Sequence, residues 1–410
     1  MAPPPKKGSP IVKIVAIVLG IIALIAAVGI GSCGYIGYRI ERKVKHVAED
    51  VKGGVKEGST VDTSKYETRP LEPCEFKNRT GFDEFTAAAA AASIPLKAGM
   101  TLTDVWPDPK KQQQDIEILH TVQGVHSSTI EISSMRLDGK SVSYSRNLCI
   151  TDMISGRELV TLFGPTSPQE IPGTTMFSLS KAEFDDLKAG RPAALRYFDA
   201  YLGKNNTYTF VGTYKGAFNR IEPNDVPYSI IVNGERKDLP TIHAKGALGT
   251  HEYEAWVLDE AANPLILNIV RPKDNWHITY LKITFPVEKK IEQELAQNGR
   301  AEIYGIYFDF NSATLRPESD PVLKEISEAL RNNPKWKIKI DGHTDNVGGD
   351  AYNLRLSQRR AESVMHALTT KYGITADRMT PEGFGASRPK ATNDTVEGRA
   401  LNRRVELVRE

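Results

Sequence analysis

The chain has 410 residues, 40% of them hydrophobic and 25% charged, the composition of ordinary globular protein in two or three domains. A formal net charge of +2 leaves no basic surplus for a nucleic-acid partner. Only three cysteines occur: Cys33, Cys74 and Cys149.

Residues 1–13 read as a short cytoplasmic tail bearing Lys6, Lys7 and Lys13. From Ile14 to Tyr38 no charge interrupts a run of Ile, Val, Leu, Ala and Gly. At about 1.5 Å per helical residue, such a run exceeds the roughly 30 Å hydrocarbon core of a bilayer, so residues 14–38 are expected to form a single-pass transmembrane helix. Tyr35 and Tyr38, beside Arg39, Arg42 and Lys43, stand where an aromatic belt belongs. Ile30-Gly31-Ser32-Cys33 loosely resembles a lipobox, which makes an outer-membrane lipoprotein with Cys33 lipidated the alternative. An inner-membrane anchor is preferred. The apolar run continues past Cys33, and a helical stripe of Val44, Val47 and Val51 follows it, so residues 39–64 read as a helical stalk and linker.

Residues 65–286 are expected to form a β-rich periplasmic region of one or two modules. It opens with an alanine run, Ala87 to Ala92, expected as a short helix ended by Pro95. Strand-like Ser128 to Ile132 and Ser141 to Tyr144 flank Asp138-Gly139, a hairpin signal. Asn233-Gly234 gives a second, after Tyr228 to Val232, and Tyr253 to Leu258, Leu265 to Val270 and Trp276 to Phe285 read as further strands. Ser180 with Glu183 has the spacing of a capping box and predicts a helix over 180–188. Cys74 and Cys149 are candidates for a disulfide in an oxidising compartment. His-Glu-x-x-His, Gly-x-Ser-x-Gly and phosphate-loop motifs are all missing. The region is therefore expected to be a spacer or a platform for an envelope protein partner; the alternative is a wall-localised enzyme or transport-linked component.

A linking helix over 287–299, capped by Gly299, leads to the last domain, residues 300–410. There the pattern predicts strand Ile303 to Phe308, helix Pro317 to Arg331, strand Trp336 to Asp341, helix Asn353 to Tyr372, and strands Arg378 to Gly383 and Arg403 to Val408. This is a βαβαβ unit with a further strand. The loop from His343 to Gly349 holds two adjacent glycines and must bend sharply, leaving backbone N–H groups free. Asp345 lies in that loop and Arg360 on the following helix. If the helix folds back beside the loop, the two flank a shallow pocket suited to a ligand with both an amine and a carboxylate. His343 has no second His or Cys at ligand spacing, so it reads as a loop histidine and no metal is expected.

The ordered set Phe308-Asp309-Phe310-Asn311-Ser312-Ala313, Asp341-Gly342-His343-Thr344-Asp345, Asn353, Leu356-Ser357, Gly383-Phe384-Gly385, Pro389, Asn393 and Asn402-Arg403-Arg404 resembles the OmpA-like C-terminal domain, the bacterial module that grips peptidoglycan. The resemblance covers about residues 300 to 410. It implies that Asp345 and Arg360 contact diaminopimelate in the peptidoglycan peptide, with Thr344, Asn353, Leu356 and Arg403 lining or bracing the pocket. Arg403 and Arg404 suit structural charges opening the final strand equally well. A flagellar-stator reading needs an ion-carrying acid in the membrane helix, and residues 14–38 contain none. The expectation is thus a multidomain envelope protein without catalytic residues or cofactor: an N-terminal transmembrane helix, a β-rich middle and a C-terminal α/β domain, tethering a membrane to the cell wall.

Overall fold

The computed structural model describes residues 68–70, 74, 79–107, 115–138, 143–162, 171, 173–202, 207–274, 276–287 and 289–410. All of them belong to one compact unit, Ser64–Glu410. The expected fold class needs correction. Among the described residues no helix is long and apolar enough to cross a membrane. The longest, Asp350–Thr370, carries arginines and glutamate through its middle. The segment 14–38, with Cys33 and the stalk that follows it, lies outside the described residues. What dominates the fold instead is β-sheet.

Strands β1 (Thr68–Pro70), β2 (Thr101–Pro107), β3 (Asp115–Val125), β4 (Thr129–Arg136), β5 (Ser143–Cys149), β6 (Glu158–Leu162), β7 (Thr174–Thr175), β8 (Ala193–Leu202), β9 (Thr207–Arg220), β10 (Val226–Val232), β11 (Glu235–Leu248), β12 (His251–Leu258), β13 (Ile266–Arg271) and β14 (Trp276–Thr284) make one 14-stranded sheet. Helices α1 (Arg79–Ala91), α2 (Ile150–Ser155) and α3 (Lys181–Lys188) accompany it. Most neighbours are antiparallel hairpin partners. Among the exceptions, β14 reaches back to pair with β2 and, in parallel, with β10, and β6 pairs in parallel with β7 and β8. Alternation drives the strands: in β4, Ile130, Ile132 and Ser134 point inward while their neighbours are less buried. Asn233 and Gly234 both adopt positive φ, 49° and 85°, as a two-residue hairpin turn demands. Ser180 caps α3 with the full reciprocal box. The alanine run is the end of α1, whose start lies earlier than the run itself. Two apolar clusters fill the sheet, one around Met100, Ile132, Leu265 and Ile283, the other around Leu187, Phe218, Ile242 and Ala255. Cys74 and Cys149 are joined by a disulfide, their Cα atoms 5.5 Å apart.

The linking helix α4 (Lys290–Asn298) ends at Gly299 in left-handed geometry. Then come β15 (Arg300–Ile303), α5 (Asp320–Asn332), β16 (Ile338–His343), α6 (Asp350–Thr370), β17 (Met379–Gly385), α7 (Val396–Asn402) and β18 (Val405–Arg409). The four strands run in the order β15-β18-β16-β17, with only β16 and β17 parallel. The first strand thus ends where sequence periodicity placed its start. Phe308 instead makes an isolated bridge to Leu315, closing a turn. Helix α6 lies hard against the sheet because two positions carry no side chain. A Cβ on Gly342 would stand 2.4 Å from the Ser357 carbonyl oxygen, and one on Gly383 2.3 Å from the Gln358 nitrogen.

The large sheet packs against α7 and the segment that follows β15. Ile231 of β10 packs with Tyr304, Ala400 and Leu401. Thr101 and Tyr307 share a buried 2.8 Å hydroxyl–hydroxyl hydrogen bond, and Lys282 Nζ donates to the Tyr304 carbonyl at 3.3 Å. Residues of both domains line an open cavity.

Candidate functional site

The cavity has a volume of about 890 Å³. Asp345, Arg360, Thr344, Asn353, Leu356 and Arg403 all line it. Three segments deliver them: the loop leaving β16, the first turns of α6, and the junction of α7 with β18.

The loop is held by its own polar groups. Thr344 N–H donates to the Gly385 carbonyl at 2.9 Å, which keeps the chain beside β17 as it leaves the sheet. Asp345 Oδ1 accepts from the Val347 N–H at 3.0 Å, the bond that turns an Asx loop. Buried Asn353 donates its amide to the carbonyls of Asp345 and Val347, both at 3.2 Å, tying the loop to the start of α6. Asn393 accepts from the Asn346 N–H at 3.3 Å and from Asn402 at 2.8 Å, bracing the loop from outside. The Thr344 hydroxyl is buried and makes no hydrogen bond, so it is left for a bound group. Leu356 is buried and apolar, a floor for a methylene chain.

Arg360 is held differently. Its Nε donates to the Ser312 carbonyl at 3.0 Å, and its guanidinium lies 4.9 Å from the centre of the Phe308 ring. Both partners belong to the Phe308-to-Ala313 run, where Asn311 takes a φ of 51° that asparagine tolerates better than most side chains. Among the described residues no carboxylate lies within ion-pair distance of Arg360. Burial pulls it down to about 10, so it still carries its charge at neutral pH; Asp345 is near enough to push the other way. A guanidinium facing a cavity without a counter-ion is arranged to receive an anion.

Asp345 has a partner already. Its Oδ2 accepts from Arg403 at 2.8 Å. Arg403 Nη2 donates to Glu117 of β3, 2.9 and 2.8 Å from its two carboxylate oxygens. Thr103, Asp138 and Lys282 of the large sheet also line the cavity. Sequence reasoning missed all four of these residues, since they lie in the region without a recognisable motif. Phe310 and Tyr352, 52% and 37% exposed, stand at the same cavity.

His343 is not a loop residue. It ends β16, is buried, and stacks on Phe384 with ring centres 5.4 Å apart. Its donor atoms come within 4.8 Å of those of Asp341 and Glu406. Glu406 already accepts from Arg404 at 2.8 Å, and Arg300 stands 3.4 Å away, so local positive charge opposes a metal ion there. Burial, with Arg404 adding to it, pulls the imidazole down to about 4. The unfolded chain then binds a proton that the folded one refuses. Stability from this group is complete above its ordinary value of 6.5 and is lost as pH falls towards about 4. Glu183, pushed up to about 7 by burial, titrates with the opposite sign in that window. The expected result is that His343→Gln flattens the acid limb of urea stability between those pH values, read as the difference from wild type. An unchanged limb would rule it out.

Comparison with known proteins falls on the same stretch. Residues 307–403 match the OmpA family, and the C-terminal domain is an OmpA family domain. Outer membrane porin F of Pseudomonas aeruginosa is 43% identical over 101 residues, 25% of this chain and 29% of that protein. Outer membrane protein A of Bordetella avium is 45% identical over 101 residues, 25% of this chain and 52% of its own length. The crystal structure of the peptidoglycan-associated lipoprotein from Burkholderia pseudomallei aligns at 34% identity and a TM-score of 0.24, covering 26% of this chain and 88% of that one. The chain thus spans well under two thirds of either outer membrane protein.

Proposed function

We infer that the protein is a non-enzymatic cell-envelope component whose C-terminal domain binds peptidoglycan reversibly through the diaminopimelate of its peptide. The observation that carries this reading is Arg360, charged, half-buried and, among the described residues, without a carboxylate partner, in the same cavity as Asp345. The free end of diaminopimelate is a zwitterion. Its carboxylate suits the guanidinium fork, its ammonium suits Asp345, and the open Thr344 hydroxyl and the Leu356 side chain serve the remainder. Each charge-assisted bond contributes roughly 1.5–3 kcal/mol, which fits a reversible grip. The names of its relatives, outer membrane proteins in two cases, support an envelope setting.

One feature bears on the alternative of an enzymatic middle region. Ser134, His120 and Asp104 align across three strands, with the hydroxyl 2.7 Å from His120 Nδ1 and Asp104 Oδ2 3.3 Å from Nε2. All three are buried and none lines the cavity. A nucleophile sealed from substrate serves as a polar brace of the core, and the binding reading is favoured. The full chain should cosediment with purified diaminopimelate-type sacculi and be released by millimolar free diaminopimelate. Sedimentation that free diaminopimelate leaves untouched would contradict this reading.

A further inference from the structure

We propose that Glu117, in the large sheet, is a specificity residue of the cavity and gives it a preference for ligand ends that carry a free ammonium. This rests on the diaminopimelate reading above. The argument is one of charge. With Asp345 alone, Arg403 would form a neutral pair, and little negative potential would remain for an ammonium. The structure instead sets Arg403 Nη2 against both Glu117 carboxylate oxygens, at 2.9 and 2.8 Å, and Nη1 against Asp345, at 2.8 Å. Two carboxylates on one guanidinium leave that wall with a net negative charge.

Arg360 supplies the complementary positive charge. Arg403 acts on it unfavourably and Asp345 favourably, so the three groups share one electrostatic neighbourhood. Of the other charges at the cavity, Asp138 pairs with Arg136 through a 3.0 Å bond, Asp309 with Arg316 at 3.0 Å and Arg404 with Glu406 at 2.8 Å, whereas Lys282 and Arg399 donate to the carbonyls of Tyr304 and Asn393 and keep their positive charge. A cavity lacking Glu117 would present a neutral pair beside a bare guanidinium and would favour simple anions over zwitterions. The large sheet therefore sets what the terminal domain selects, although Glu117 and Arg403 lie 286 positions apart in sequence.

The test is calorimetric titration of the full chain with meso-diaminopimelate and with its fully N-acetylated form, which keeps both carboxylates and no ammonium. Glu117→Gln keeps the shape and a hydrogen-bond acceptor for Arg403 while removing the charge. It should weaken diaminopimelate binding about tenfold, the equivalent of about 1.4 kcal/mol, and leave the acetylated ligand no weaker than in wild type. Glu117→Asp, which keeps the charge, should recover part of the loss. Diaminopimelate binding by Glu117→Gln equal to or tighter than wild type would overturn the proposal, as would equal weakening for both ligands, which marks a structural role. Arg360→Ala separates the two levels: if it binds diaminopimelate as wild type does, the pocket reading fails and this inference falls with it.

Discussion

Arg360→Ala is expected to weaken diaminopimelate binding at least about a hundredfold while barely moving the melting temperature. A bidentate contact between guanidinium and carboxylate comprises two charge-assisted bonds, and its loss comfortably exceeds the roughly 2.7 kcal/mol that a hundredfold represents. In the folded chain without ligand, Arg360 gives up only the Ser312 bond and its place over Phe308. The substitution also removes a half-buried charge that has no ion-pair partner among the described residues, so the stability terms oppose one another. Asp345→Ala differs in kind. It strips an acceptor from Arg403 and from the Val347 N–H, so it should lose binding and also about 1–3 kcal/mol of stability. Calorimetry and thermal melts on the same two variants separate these outcomes. Arg360→Ala that binds normally, or that unfolds as readily as Asp345→Ala, would show that its role is structural.

Removing the disulfide is the largest stability change expected. Cys74 and Cys149 close a loop with a sequence separation of 75, and constraining the unfolded chain over such a loop is worth about 4 kcal/mol in the chain-entropy picture. Cys149 is buried where β5 turns into α2, so the bond fixes the start of the described fold to one edge of the large sheet. Cys74→Ala should lower the free energy of unfolding by about 2–4 kcal/mol in urea, and dithiothreitol should lower wild type to the same level. Diaminopimelate affinity should persist in the folded fraction, since neither cysteine lines the cavity. A loss below about 1 kcal/mol would mean that the bond constrains little that matters to the fold.

Local chemistry made part of this structure readable in advance. Asn233-Gly234 specifies its turn through positive φ, and Ser180 with Glu183 specifies a helix start, because in each case neighbours in sequence satisfy one another. The alternation of loop and amphipathic helix after β16 likewise brought Asp345 and Arg360 into view. Long-range pairing was not readable. Nothing in β2 announces β14 as its neighbour, and nothing in β3 announces Arg403 as the partner of Glu117. Helix α7 has seven residues, too few for a 3.6-residue period to declare itself. The apolar run Ile303 to Phe308 reads as a strand because periodicity reports burial, whereas Tyr304 packs against Ile231 of β10 and Ala400 and Leu401 of α7, and Phe308 serves as the platform for Arg360. His343 was misplaced for a related reason: a polar run suggested a loop, while stacking on Phe384 keeps the ring inside.

The most direct measurement is a crystal structure of the full chain grown with meso-diaminopimelate. The expected density places one ligand carboxylate on the Arg360 fork and the adjoining ammonium at Asp345, with Glu117 still held by Arg403. Ligand bound elsewhere on the molecule, or seated in the cavity with its carboxylate away from Arg360, would contradict the assignment of this pocket to the cell wall.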